Sequence, residues 1–205
     1  VAIAQGSSEL NISVVVAESQ SVRAVRAIHS EFQLDKIGGG GLANSQRVDI
    51  VILGFGMIGR ELVRMLPRVK AKAQLNIVGL IDRSGFLFDA AGFGPGKLQQ
   101  LATAKAKGVS LATMKGGVAA QAEAAVADMQ RHALSRPILV DLTADDTMRA
   151  LRVGAAGGMD IVLANKRPLT ASRAAVEELR ATIAQQHVAV ADGDAGFLAN
   201  RRLSF

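Results

Sequence analysis

Cysteine, tyrosine and tryptophan are all missing from these 205 residues. Without cysteine there is no disulfide framework, thiolate zinc site or cysteine nucleophile, which suits a reducing, cytoplasmic setting. The aromatic complement is seven phenylalanines, 3% of the chain, so few platforms exist on which nucleic-acid bases could stack. No run of about 18 apolar residues occurs, and the basic and apolar regions of a signal peptide are missing too. Neither a membrane nor a nucleic-acid partner is therefore expected, although the formal net charge is +6. That charge is dispersed, with no basic run longer than two residues, and residues 1–36 carry a net −1.

What is present describes a globular chain, 49% hydrophobic and 20% charged. Val1–Ala4 and Asn11–Val16 are β-branched runs separated by Gln5-Gly6-Ser7-Ser8, the pattern of a hairpin. Val22, Val25, Ile28 and Phe32 then recur at helical spacing after a cap at Ser19 or Ser21. About 36 residues of this kind bury too little surface to be self-sufficient. Because the chain begins at Val1, within a strand-like run, it is expected to be part of something longer. Gly38-Gly39-Gly40-Gly41 sits inside a segment, 37–47, with the composition of a linker.

From Val48 strands and helices alternate: strands 48–53, 75–81, 138–142, 160–164 and 188–191, and helices 57–66, 97–106, 118–132, 145–156 and 171–186. Continuous apolar strands between helices predict a doubly wound parallel sheet, an α/β Rossmann-like domain over 48–205. Ser84–Gly96 reads as a loop of no assigned role.

Leu53-Gly54-Phe55-Gly56-Met57-Ile58-Gly59-Arg60 places GxGxxG between a strand and a helix. There Gly54 makes the tight turn, Gly56 admits a pyrophosphate to the backbone, and Gly59 packs the helix on the strand. The unpaired N–H groups of the helix start, at Met57 and Ile58, would face the phosphates, with Phe55 in the same loop. The next strand ends at Asp82-Arg83, where an acid would accept from an NAD ribose and an arginine would pair with the 2′-phosphate of NADP. Both residue types are offered side by side, so NAD and NADP stay open. A plain turn role competes for Asp82.

Val140-Asp141-Leu142-Thr143 and Ala164-Asn165-Lys166-Arg167 end two further strands on the carboxyl edge, where ligands of such sheets sit. Thr143, Asn165 and Lys166 are thereby expected near the nicotinamide. Helix capping competes for Thr143 and Asp145, and a solvated loop role for Lys166. The three histidines, His29, His132 and His187, are too scattered for a metal set or a hydrolytic triad.

Gln5-Gly6-Ser7-Ser8-Glu9 through Val14-Val15-Val16, with Val25-Arg26-Ala27-Ile28-His29 and Phe32, resembles the end of the regulatory ACT region of an aspartokinase. The glycine loop, Val140-Asp141-Leu142-Thr143 and Ala164-Asn165-Lys166 resemble the nucleotide-binding domain of homoserine dehydrogenase. In that order they are similar to the bifunctional aspartokinase–homoserine dehydrogenases. The resemblance implies a partial α+β ACT segment over 1–36, NADP or NAD as cofactor, and interconversion of L-homoserine and L-aspartate 4-semialdehyde. It also implies a homo-oligomer, a role for Gln5 in an ACT effector site that takes threonine, and Lys166 as the catalytic group at the homoserine hydroxyl. A lysine acting there as a base needs burial or a neighbouring cation, for which Arg167 is available. The family's kinase and substrate domains are not represented in this sequence, so the chain is expected to bind cofactor and turn over little homoserine. A non-catalytic regulatory module is the alternative.

Overall fold

The computed structural model describes residues 2–5, 12–18, positions 21, 24, 25 and 28, and residues 47–71, 73–170 and 172–191. The chain divides into two compact units, Val1–Asn44 and Ser45–Phe205. In the first, β1 (Ala2–Gln5) pairs antiparallel with β2 (Ile12–Val15), which sets Gln5 opposite Ile12. Most of the helix expected after Ser19, and the glycine linker, lie outside the described residues.

The second unit is built on a five-stranded sheet. Its strands are β3 (Arg47–Leu53), β4 (Gln74–Asp82), β5 (Gly85–Phe88), β6 (Ile138–Asp141) and β7 (Asp160–Leu163). The spatial order is β5-β4-β3-β6-β7, with β4, β3, β6 and β7 parallel and β5 antiparallel at one edge. Among the described residues five helices flank it: α1 (Met57–Met65), α2 (Pro95–Ala106), α3 (Ala122–Met129), α4 (Met148–Ala156) and α5 (Arg173–Ala191).

The alternation of a strand sends successive side chains to opposite faces, and β3 shows both sides covered. Ile50 and Ile52 join Val63 of α1 and Leu98, Leu101 and Ala102 of α2 in one buried cluster. Val51 and Leu53 join Ala125, Val126 and Met129 of α3, Leu151 of α4, and Leu179 and Ile183 of α5 in the other. A central strand buried on both faces is therefore apolar almost throughout, as its sequence is. Among the described residues no helix is long and apolar enough to cross a membrane.

Several expectations need correction. The segment read as strand 188–191 is the last part of α5. No glycine or proline separates it from the residues before it, so the helix propagates through its alanines and valines. The loop expected over 84–96 contains β5, which hairpins back onto β4 directly after Asp82, and it contains the first turn of α2 with Pro95 at a helix start. Helix 118–132 shortens to Ala122–Met129 because Val118 is engaged in an extended bridge with Phe86. Helix 145–156 starts only at Met148, since Asp145, Asp146 and Thr147 are occupied by other contacts.

Candidate functional site: the carboxyl edge of the sheet

The turn after β3 is pinned from both sides. The Gly54 and Phe55 N–H groups donate to the Ile81 carbonyl of β4 at 2.9 and 3.0 Å, and the Leu142 N–H donates to the Leu53 carbonyl at 2.8 Å. Gly54 adopts φ +106°, which disfavours any residue with a Cβ, and a Cβ there would stand 2.9 Å from Leu142 C and Thr143 N. At Gly59 a Cβ would meet the Gly54 carbonyl oxygen at 2.2 Å, so the helix can approach its own strand only as glycine.

Gly56 differs from both. Nothing lies within 4 Å of where its Cβ would be. It opens α1, whose first turn has no side-chain cap and no acidic residue. The positive end of the helix and its free N–H groups are thus left for an anion. These features fit the pyrophosphate of a dinucleotide. Met57 and Ile58 are exposed beside this opening, whereas the Phe55 side chain is 0% exposed. Phe55 therefore packs in the core and has its N–H engaged by Ile81.

Asp82 and Arg83, adjacent in sequence, face different partners. The Asp82 carboxylate accepts from the Ser84 N–H at 2.7 Å and the Ser84 hydroxyl at 2.6 Å, and its other oxygen pairs with Lys105 of α2. Its side chain is only 9% exposed. Burial raises the pKa of this carboxyl, but the hydrogen bonds from Lys105 and Ser84 outweigh it and hold the value below the ordinary 3.8. A carboxyl whose folded pKa is depressed stabilises the fold above its unfolded value, and that contribution disappears as the pH falls through the folded value. The gap in unfolding free energy between the wild type and Asp82→Asn should thus be constant from about pH 7 to about pH 5 and shrink in stronger acid. A gap unchanged to about pH 2 in urea titrations would exclude this charged contact.

Arg83 is 86% exposed at its side chain and donates from Nε and Nη2 to the two carboxylate oxygens of Asp145, at 2.9 and 3.0 Å. Hydrogen bonding to Arg83 pulls the Asp145 carboxyl below its usual range and raises the pKa of the guanidinium.

The far side of the edge is organised by Asp141, which is 0% exposed. One oxygen accepts from the Thr143 N–H and hydroxyl at 2.9 and 2.8 Å. The other accepts from the Thr147 hydroxyl at 2.5 Å and Asn165 Nδ2 at 3.1 Å. Asn165, 4% exposed, also donates to Thr143 Oγ1 at 2.9 Å and the Asp145 carbonyl at 2.8 Å, and its Oδ1 accepts the Arg167 N–H at 3.0 Å. This amide clasps β6 to the turn after β7. Lys166, between Asn165 and Arg167, is exposed on that turn.

Capping does not occupy Thr143 or Asp145. The start of α4 is served instead by Asp146, whose carboxylate accepts the Met148 N–H at 3.1 Å. Gln5 belongs to the other unit. Sequence reasoning missed Ser84, Lys105 and Thr147 and the clasp role of Asp141. Only Asp141 had a local signal, as a carboxylate in an otherwise apolar strand end.

Comparison with known proteins agrees with this architecture. The family described as "Homoserine dehydrogenase, NAD binding domain" matches residues 54–191, and "ACT domain" matches residues 1–32. The bifunctional aspartokinase/homoserine dehydrogenase of Haemophilus influenzae is 26% identical over 199 residues, covering 91% of this chain and 21% of that protein. The chloroplastic bifunctional aspartokinase/homoserine dehydrogenase 2 of Zea mays is 29% identical over 153 residues, covering 72% of this chain and 15% of that one. The chain thus spans about a fifth or less of these relatives. A hyperthermophilic archaeal homoserine dehydrogenase solved in complex with NADPH shares the fold, with a TM-score of 0.56 at 23% identity over 68% of this chain and 41% of that one. With the family match covering most of its length and the glycine turn built as described, the chain belongs to the NAD(P)-binding domains of the homoserine dehydrogenase family.

Proposed function

We propose that this chain is the nucleotide-binding part of a homoserine dehydrogenase of the bifunctional aspartokinase type, serving the interconversion of L-homoserine and L-aspartate 4-semialdehyde. The observation that carries the proposal is the open Gly56 position at the uncapped start of α1, between the ends of β4 and β6. NAD(P), when bound, supplies the hydride acceptor or donor. The N–H groups from Gly56 onward would hold its pyrophosphate, flanked by Met57 and Ile58. Thr143 would border the nicotinamide end, with Asn165 holding the Thr143 hydroxyl and the following turn in place. Lys166 Nζ would exchange a proton with the homoserine hydroxyl, beside Arg167. With the buried Asp82 carboxylate committed to Ser84 and Lys105 and the Arg83 guanidinium exposed, NADP fits the ribose end better than NAD. To the N-terminal segment the same reading assigns threonine as effector, with Gln5 in its site.

Fluorescence titration with NADPH tests the nucleotide site directly. Gly56→Ala should melt close to the wild type, because the new methyl meets open space. It should weaken NADPH binding about tenfold or more, the equivalent of losing one charge-assisted hydrogen bond to the phosphates. Equal affinities for the two chains would remove the pyrophosphate from this loop. Homoserine oxidation by the 205-residue chain is expected to stay at background.

A further inference from the structure

The Arg83–Asp145 pair joins residues that follow β4 and β6, and these strands flank β3 in the sheet. The bridge therefore spans the edge at which the Gly54 turn emerges. It occupies the exposed guanidinium directly after β4, the group to which the proposed function gives the ribose end of the dinucleotide. Asp145 is also fixed from behind. Its carbonyl accepts from the buried Asn165 amide at 2.8 Å, so its carboxylate stays close to the edge when Arg83 lets go.

We propose that Asp145 is a specificity-determining residue that competes with the 2′-phosphate of NADP for Arg83 and so lowers the preference for NADP over NAD. This rests on the nucleotide reading given above. Both partners are largely exposed, with side-chain accessibilities of 86% and 48%. An exposed pair of this kind opens at small cost. NADPH binding has to break the bidentate contact and seat a dianionic phosphate near a fixed carboxylate. NADH brings no such charge, and the bridge remains closed when it binds.

The experiment is a titration of NADPH and NADH against the wild type, Asp145→Asn, Arg83→Gln and the double variant, each checked by its melting curve. Asp145→Asn should tighten NADPH binding about fivefold and change NADH by less than about twofold, in line with the strength of an exposed bidentate pair. The gain should vanish in the Arg83→Gln background, which isolates the coupling between the two residues. Asp145→Ser, which removes the charge with a smaller side chain, should reproduce the NADPH gain. If the wild type binds both nucleotides and Asp145→Asn alters neither, or alters both equally, the competition is refuted while the nucleotide site stands. If the wild type binds neither nucleotide, both the site and the competition are refuted.

Discussion

Asp141→Ala is expected to lower the unfolding free energy by about 3 kcal/mol, because it strips the acceptor from a buried cluster of donors. The Thr143 N–H, the Thr143 and Thr147 hydroxyls and one Asn165 N–H all point at a carboxylate with no solvent exposure. Water cannot readily replace it there, so the donors lose their partner without compensation. Asp141→Asn keeps the volume and one acceptor oxygen, and should fall between alanine and the wild type. Urea denaturation of the three chains measures this. A loss below about 1 kcal/mol for alanine would mean that the clasp between β6 and the turn after β7 contributes little. The same change takes one acceptor from the Asn165 amide and leaves it held by Thr143 and the Asp145 carbonyl, so the Lys166–Arg167 turn should loosen, readable as faster amide exchange at Arg167.

Gly59→Ala should be the most damaging small change in the glycine loop. Its methyl would stand 2.2 Å from the Gly54 carbonyl oxygen, a backbone atom that cannot rotate aside. Either α1 shifts away from β3 or the Gly54 turn deforms. The first outcome opens the buried cluster to which Val63 and Ile52 belong and should cost about 1–3 kcal/mol. The second misplaces the N–H groups that face the phosphates. In both cases NADPH affinity is expected to fall by more than tenfold, about 1.4 kcal/mol or more. Paired with Gly56→Ala, the result separates two roles within one motif: at Gly59 stability and binding drop together, at Gly56 binding alone. Wild-type stability in Gly59→Ala would contradict the close contact on which this rests.

Much of the α/β unit was legible from the chain alone. Apolar runs such as Val48–Leu53, punctuated by glycines and followed by helical spacing, reflect requirements that act within a few residues. A strand covered on both faces has to be apolar, and a turn at positive φ has to be glycine. The failures share a cause. Gly85–Phe88 resembled a loop because its strand character comes from pairing with β4 and from the bridge to Val118, not from its own few residues. Residues 188–191 resembled a strand because alternating Val and Ala suits either state, and continuity with the helix before them decided the matter.

The residue pattern alone specified a largely parallel α/β unit, the position of the glycine turn and the residue types available at each strand end. Which of those residues are free to meet a ligand depended on contacts made across the fold. Asp82 and Arg83 are neighbours in the chain, yet Lys105 and Ser84 enclose the first and Asp145, 62 residues away, engages the second. Phe55, inside the motif, faces the core, and Asn165 holds the edge together from beneath. Hydrogen bonds and ion pairs form between groups a few ångströms apart in space, and the fold brings those groups together from segments that local sequence preferences cannot connect.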